Sequence, residues 1–334
     1  MRVVAAPDKF RGTATALEVA EAVGRAVEAL GGRCDRRPVA DGGEGTLLAL
    51  GGANRWSLVT GPLGEEVRAG WRLDGRLAVV EMAEASGLAL VGGAEGNKPL
   101  EATTAGTGEL IAEAVSAGAK RVIVGVGGSA TTDGGLGALR AMEPLARLRG
   151  VDIEVACDVR LTFVEAATRF GPQKGASDAQ VRLLIGRLER LGQVYERDFG
   201  VDVTDLVSSG AAGGLAGGLA AIGASLVPGF ELVAEEVGLE DALEGADLVV
   251  TGEGFIDDQS FDGKVVGGVA ELAWERGVPV LAIAGQVFDD AAASTDAEVV
   301  SLTERFGLDA ALERPCELVE ILVTEHLERL RLQG

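Results

Sequence analysis

The sequence predicts an α/β fold in which both chain ends build one sheet and the middle of the chain forms an inserted second α/β domain. Three observations carry that prediction. Short apolar runs alternate with helix-period segments up to about residue 55 and again after about residue 228. Between Trp56 and Val80 the alternation gives way to runs joined by turns at Gly61-Pro62-Leu63-Gly64 and Asp74-Gly75, a hairpin pattern. Glycine-rich loops bearing acids recur at strand ends, where open α/β sheets bind ligands. The expected domains are 1–55 plus 229–334, and 56–228, with the active site in the cleft between them.

The elements follow in order. Arg2–Ala6 is a short strand, and a helix from Ala16 to Leu30 has apolar positions at Leu17, Ala20, Val23 and Val27, with Gly31-Gly32 ending it. A second strand, Arg36–Val39, runs into Ala40–Thr46, which opens another helix. Leu58–Thr60, Val67–Leu73 and Leu77–Val80 read as antiparallel strands. A helix follows with Thr107 as its cap, then a buried strand, Arg121–Val126, feeding Gly127–Gly135. Val151–Cys157 is a strand ending at Asp158. The small-residue run Gly210–Gly218 reads as close helix packing rather than ligand contact. The strands Asp247–Val250, Pro279–Ile283 and Glu298–Leu302 complete the chain, with a helix beginning near Val265.

Composition narrows the function. With 334 residues, 47% of them hydrophobic, the chain fills full cores, and disorder is excluded. No apolar run approaches the roughly 18 residues of a spanning helix, and Met1-Arg2-Val3-Val4 starts a strand rather than a signal peptide, so a soluble cytoplasmic protein is expected. A net charge of −22 argues against nucleic acid and anionic membranes, which are bound by clustered Lys and Arg. Cys34, Cys157 and Cys316 fit neither a zinc spacing nor a disulfide framework and read as small buried hydrophobes. The single histidine, His326, lies in an amphipathic segment and reads as a surface or helix-end residue. Histidine triads and His-ligated metals are thereby removed: a general base is Asp or Glu, and a metal is a hard one held by oxygens.

Four loops share one design of strand end, glycine, hydroxyl and carboxylate: Asp8–Thr13, Asp41–Thr46, Gly127–Asp133 and Thr251–Gly254. Glycines let backbone amides face phosphate oxygens, and helix starts add a positive dipole end. The stretch Thr251–Lys264 is the richest: Glu253 and Asp257 offer oxygens to magnesium or to a substrate hydroxyl proton, and Lys264 a point charge to phosphate. The plain alternative for each loop is a tight turn with solvated acids. Gly125–Ala130 approximates a dinucleotide loop without the downstream ribose acid, and no Walker A sequence occurs. Four such loops, together with Phe170-Gly171-Pro172-Gln173-Lys174-Gly175, point to a phosphoryl-transfer enzyme.

These residues resemble the bacterial type I glycerate kinases, which phosphorylate D-glycerate with ATP, typically to 2-phosphoglycerate. The matching segments are Ala6–Gly12, Ala40–Thr46, Glu81–Leu88, Thr104–Ile111, Gly127–Gly135, Cys157–Val159, Phe170–Ala176 and Thr251–Gly254, with Asp257–Ser260 and Gly263-Lys264. The resemblance implies a flavodoxin-like three-layer domain from both chain ends and an inserted domain likened to restriction endonucleases, with cleft carboxylates and Mg2+ serving ATP and glycerate. Carried onto this chain, Lys174, Lys264 and Arg11 are candidate phosphate clamps. Asp158, Glu253 and Asp257 are candidates for magnesium binding or for taking the hydroxyl proton, with Lys264 joining them in the catalytic set. Binding positions are expected at Asp8, at Asp41, Gly42, Gly43 and Glu44, at Gly127, Gly128, Ser129, Thr131 and Asp133, at Gln173, and at Thr251, Gly252 and Gly254. A homodimer is compatible with the pattern.

Three departures bear on substrate. Lys9-Phe10-Arg11-Gly12 stands where the family has Ser-Phe-Lys-Gly. Arg160-Leu161-Thr162 replaces an Asn-Pro-Leu after Val159, and Phe255 occupies the place of an arginine. They leave two alternatives beside a glycerate kinase: a non-catalytic ligand-binding relative, or a kinase of another small hydroxy acid.

Overall fold

The computed structural model describes residues 1–257, 260, 264–288 and 297–333. The strands among these are β1 (Arg2–Ala5), β2 (Arg33–Arg36), β3 (Arg55–Thr60), β4 (Glu66–Asp74), β5 (Leu77–Glu81) and β6 (Arg121–Gly125). The later ones are β7 (Asp152–Cys157), β8 (Ser225–Pro228), β9 (Leu248–Ile256), β10 (Val280–Val287) and β11 (Glu298–Ser301). The chain divides into two compact units: Met1–Asp41 with Leu48–Leu50 and Phe230–Gly334, and Gly42–Leu47 with Gly51–Gly229. The short Gly42–Leu47 segment thus groups with the middle of the chain, whereas the composition change in the sequence lies near residue 55.

The first unit is built on a parallel sheet of order β11-β10-β9-β1-β2. Alternation along each strand feeds two cores. Val3, Ala5, Leu248, Val250, Leu281 and Ile283 pack on one face with residues of the helices Ala16–Ala29 and Pro315–Gln333. Val4, Ala6 and Val249 pack on the other with the helices Gly229–Glu236, Leu239–Leu243 and Val265–Glu275. The helix Ala16–Ala29 starts at a capping box, with Thr15 Oγ1 accepting Glu18 N at 3.2 Å and Glu18 Oε2 accepting Thr15 N at 2.8 Å. Its buried stripe runs through Val19, Ala20, Val23 and Val27, and Leu17, an expected member, is exposed.

Several expectations are corrected here. β2 begins three residues earlier than the apolar pattern suggests, because Arg33 N pairs with Met1 O and registers Arg2 opposite Arg33. His326 is half-buried well inside the helix Pro315–Gln333, against Glu298 and Arg329, rather than at a surface or helix end. Burial pushes its imidazole below the usual value. Two of the three cysteines, Cys34 and Cys157, are buried as expected, and Cys316 is half-buried.

The largest correction concerns β9. The Thr251-Gly252-Glu253-Gly254 motif is not a loop. β9 continues through Ile256 in register with β10, Thr251 opposite Ala282 and Ile256 opposite Val287. The glycines act by close approach: a Cβ on Gly252 would lie 2.0 Å from Ile283 O.

The second unit has a mixed sheet of order β3-β4-β5-β6-β7-β8, antiparallel from β3 to β5 and parallel onward. The hairpins read from Trp56–Val80 are therefore present. Its core joins Val80, Ile123 neighbours Val122 and Val124, and Val155 to the helices Ala105–Ser116, Asp178–Phe199 and Ala211–Ala221. The helix after β5 starts at Ala105 rather than after Thr107, which lies inside it with its hydroxyl paired to Ser86 Oγ at 2.8 Å. The reason is distant: the Asp133 carboxylate accepts Thr104 N at 2.9 Å and so caps the helix from another loop. The small-residue run packs as expected, every residue from Ala211 to Ala221 being buried. Its first turn is left-handed at Ala212, Gly213 and Gly214, and a Cβ on Gly213 would lie 2.0 Å from Thr131 O.

Candidate active site

In the first unit the site grows from the carboxyl ends of β1 and β9. The chain leaves β1 still paired: Ala6 N donates to Val250 O and Asp8 N to Gly252 O, both at 2.8 Å. Thr251 Oγ1 donates to Ala6 O at 2.8 Å, tying the two strand ends together. Asp8 is held buried there, its Oδ1 accepting Lys9 N at 2.6 Å and lying 3.6 Å from Lys9 Nζ. Burial pushes its carboxyl up to about 6; Lys9 opposes the shift and the Asp41 charge adds to it.

Glu253 stands out in this cluster. Its Oε1 is buried and has no hydrogen-bond partner among the described residues. Burial pushes the carboxyl up to about 7, opposed by a hydrogen bond from Ser260 and by Lys264, and reinforced by the charges of Asp8 and Asp41. An orphaned buried polar atom costs about 1–3 kcal/mol, so its retention on a rigid strand makes Glu253 a candidate for chemistry.

Around Glu253 the other first-unit residues are placed by backbone constraints. A Cβ on Gly254 would come 3.0 Å from Arg11 N, so the glycine lets the Phe10–Arg11 loop close over β9. Asp257 shapes the turn that follows, with Oδ1 accepting Ser260 N at 3.0 Å and Ser260 Oγ accepting Asp257 N at 3.1 Å. Lys264 immediately precedes the helix Val265–Glu275, whose positive dipole end adds to its charge. Phe255 is 47% exposed and stacks on Phe288, the ring centroids 5.8 Å apart. Asp258, Gln259 and Gly263 of the expected motif lie outside the described residues.

Among the described residues no three His, Cys, Asp or Glu side chains are grouped to hold a metal ion by themselves. Glu253 and Asp257 belong to the first unit, and Asp158 belongs to the second, exposed just after β7. Its charge and, more strongly, burial push the Cys157 thiol up to about 12, which leaves that cysteine inert. The crowded carboxylates of the first unit do suit a hard cation that takes one or two protein oxygens and completes its shell elsewhere, as Mg2+ does with phosphates.

The second unit gathers the remaining expected positions around two loops. In the first, Gly42 adopts φ +93°, and a Cβ there would lie 2.8 Å from Ala156 O. Glu81, at the end of β5, holds this loop: its carboxylate accepts Gly45 N at 3.0 Å and Leu47 N at 3.0 Å. Burial pushes Glu81 up to about 7 against those hydrogen bonds. In the second loop, Gly127 passes so close to Gly43 that a Cβ would sit 2.6 Å from its Cα, and the Glu44 side chain lies against Gly128. Lys174 is fully enclosed, donating to Ser129 Oγ and Thr131 O, both at 2.7 Å. Burial pulls its ammonium down to about 7, with Asp133 opposing. Gln173, its neighbour, is exposed. The Asp133 carboxylate is taken up by the chain itself, accepting Thr104 N and Oγ1, Gly135 N and Gly137 N at 2.9 to 3.1 Å.

Sequence reasoning missed Glu81, Asn97 and Ser260 as working parts. Asn97 Nδ2 donates to Ala130 O and Lys174 O, both at 2.9 Å, and so stitches the lysine to its loop. Only Glu81 left a signal, a carboxylate ending an apolar run; Asn97 and Ser260 work through contacts that no spacing encodes.

The sequence model of the family described as "Glycerate kinase family" matches residues 3–145 and 142–331. The glycerate 2-kinase of Escherichia coli (strain K12) is 40% identical, over 93% of this chain and 89% of that protein. The glycerate kinase of Bacillus subtilis (strain 168) is 42% identical, over 96% of this chain and 95% of that protein. Among solved structures, a Salmonella typhimurium LT2 protein described as glycerate kinase 2 superposes with a TM-score of 0.83 at 37% identity, covering 100% of this chain and 99% of that one.

Proposed function

The chain belongs to the glycerate kinase family, and from that premise we propose that it transfers the terminal phosphoryl group of ATP to D-glycerate, giving 2-phosphoglycerate. The observation that carries the mechanism is the buried Oε1 of Glu253, which has no partner among the described residues. Phosphoryl transfer rests on positioning and charge neutralisation more than on covalent chemistry. Glu253 is the proposed acceptor of the substrate hydroxyl proton, because a carboxyl poised at about 7 takes up and releases a proton at neutral pH. Lys264, at the start of its helix, and Arg11 are the proposed cationic contacts for phosphate oxygens. Mg2+ held by Asp8, Asp41 or Asp257 would neutralise phosphate charge. In the second unit, the backbone amides of Gly42–Glu44 and Gly127–Ser129 are proposed to face substrate oxygens, with Glu81 and Lys174 holding those two loops in shape.

The same reading takes the first unit as flavodoxin-like, supported by its all-parallel sheet, whose strands taken within that unit run in the order 2-1-3-4-5. The second unit is then the inserted, restriction-endonuclease-like domain.

The test is a coupled ADP-release assay of the full chain with Mg-ATP and D-glycerate, with L-glycerate and related hydroxy acids as controls. D-glycerate-dependent turnover with the phosphate on the 2-hydroxyl, read by NMR of the product, is the expected result. Turnover only with another hydroxy acid, or ATP binding without turnover, would replace the proposal with a changed substrate or a non-catalytic role, which Phe255 and Arg160 would then explain.

A further inference from the structure

We propose that the second unit joins a second copy of this chain through the free edge of β3, extending its mixed sheet across a two-fold axis. β3 is the end strand of that sheet, and among the described residues it pairs only with β4. Gly61 N donates to Glu65 O, and alternation along the ladder turns the N–H and C=O of Val59 and Ser57 toward β4. Those of Thr60, Leu58 and Trp56 point away from it. The helix Ala105–Ser116 closes the edge at Thr60: Glu109 Oε2 accepts Thr60 N at 2.8 Å, and a Cβ on Gly106 would lie 2.0 Å from Thr60 O. Among the described residues no hydrogen bond reaches the outward groups of Trp56 and Leu58.

The side chains repeat the pattern. Trp56 and Leu58 share one face of the strand and are 55% and 63% exposed. The Arg68 guanidinium lies 5.2 Å from the Trp56 ring centroid and holds the indole in place. Exposed strand edges are normally blunted by lysine, proline or a bulge. β3 has neither lysine nor proline and presents two large apolar residues instead.

These features select the occupant. An antiparallel partner strand must match the two open residues, and residues directly opposite share a face of the sheet. A second β3 centred on Ser57 does both. Trp56 then stands opposite the partner's Leu58, and Leu58 opposite the partner's Trp56, so every open N–H and C=O is paired and indole meets leucine across each pair. Centring on Leu58 instead would set Trp56 against the partner's Thr60, whose groups Glu109 and Gly106 have already taken. On the other face Ser57 meets the partner's Ser57 and asks nothing of it, because its hydroxyl accepts Trp71 Nε1 at 2.9 Å and is hydrogen-bonded to Glu113. The edge lies wholly within the second unit and includes none of the residues proposed for phosphoryl transfer, so it stands or falls separately from the glycerate kinase reading.

The test is sedimentation velocity of the full chain, joined to disulfide trapping. The contact is small, so a reversible shift from 34.1 kDa to twice that mass is expected, half complete at about 1–100 µM. Trp56→Lys, at an exposed position, puts lysine on the edge and raises the dissociation constant about tenfold or more with Tm unchanged. Trapping then reads the register. Opposed residues of a non-hydrogen-bonded pair have Cα atoms about 4.5 Å apart, within disulfide reach, so Ser57→Cys crosslinks two copies under mild oxidation. Two copies of Leu58→Cys stand diagonally, about 7–8 Å apart, and crosslink more slowly. The proposal is overturned if the chain stays at 34.1 kDa up to about 200 µM, if Trp56→Lys associates as the parent does, or if Leu58→Cys crosslinks as fast as Ser57→Cys. Should Ser57→Cys not fold, an equimolar mixture of Trp56→Cys and Leu58→Cys replaces it. Crosslinks between the two variants are expected to outnumber those within either, and an even distribution overturns the proposal.

Discussion

Glu253 and Asp133 are both half-buried acids in glycine-rich stretches at buried parallel strand segments, one in each unit, and burial of the carboxyl pushes both upward. They differ in what their oxygens meet. Asp133 accepts hydrogen bonds from Thr104, Gly135 and Gly137 and uses its full capacity to tie a helix start to a loop. Glu253 keeps Oε1 without a partner among the described residues. The lesson is that burial alone does not mark a reactive acid; the separating quantity is unspent hydrogen-bonding capacity. The same holds for the lysines: Lys174 donates inward to Ser129 and Thr131, while Lys264 stands at a helix start.

The sharpest way to break this comparison is to neutralise each acid. Glu253→Gln is expected to lower kcat by about 10²- to 10⁴-fold while Tm stays at or above the parent value. A Tm loss of many degrees with kcat intact would mean that the two acids have the same structural role. Asp133→Ala reverses the pattern: stripping the shared acceptor from several buried donors costs on the order of 3 kcal/mol, measured by urea denaturation, and Asn at that position restores part of it. Gly252→Ala should cost about 2 kcal/mol, because its Cβ would meet Ile283 O at 2.0 Å. Gly254→Ala, facing Arg11 N at 3.0 Å, should cost less; equal costs in the same denaturation series would contradict the paired strands.

The pH dependence follows from the sign of the shift. Glu253 has its carboxyl raised from 4.5 to about 7, so the folded state binds the proton more tightly than the unfolded chain. Its contribution to stability is full below pH 4.5 and is lost as pH rises through about 7. As a base it must be deprotonated, so kcat/KM should rise with pH to a plateau with an apparent pKa near 7, and this limb should vanish in Glu253→Gln. The smallest expected effect is that of Phe255→Arg. The ring is 47% exposed, so stability should stay within about 0.5 kcal/mol; a changed KM for ATP with unchanged Tm would tie this position to phosphate binding.

Much of the fold was readable because its signals are local. The helix Val265–Glu275 begins at the expected residue, the β3–β5 hairpins follow their turn residues, and the all-buried Gly210–Gly218 run packs as small residues do. What escaped depends on partners distant in sequence. Glycines in Thr251–Gly254 look like loop formers until β10 is seen beside them, and Thr107 looks like a cap until Asp133 is seen supplying one to Thr104. In the site, acids and lysines were identifiable by type, but whether an oxygen is spent or spare is a property of three-dimensional neighbours. Glu81 shows the limit: it reads as the last residue of a strand, and only its contacts with Gly45 and Leu47 reveal it as the brace of a loop.

That Glu253 sits within β9 rather than in a loop has a further consequence. A loop tolerates changes of length, but a strand has parity. Deleting or inserting one residue between Leu248 and Glu253, with the pairing to β1 and β10 kept, would turn the acid to the opposite face of the sheet. The chemistry of this position is therefore bound to an even count of residues along a hydrogen-bonded ladder.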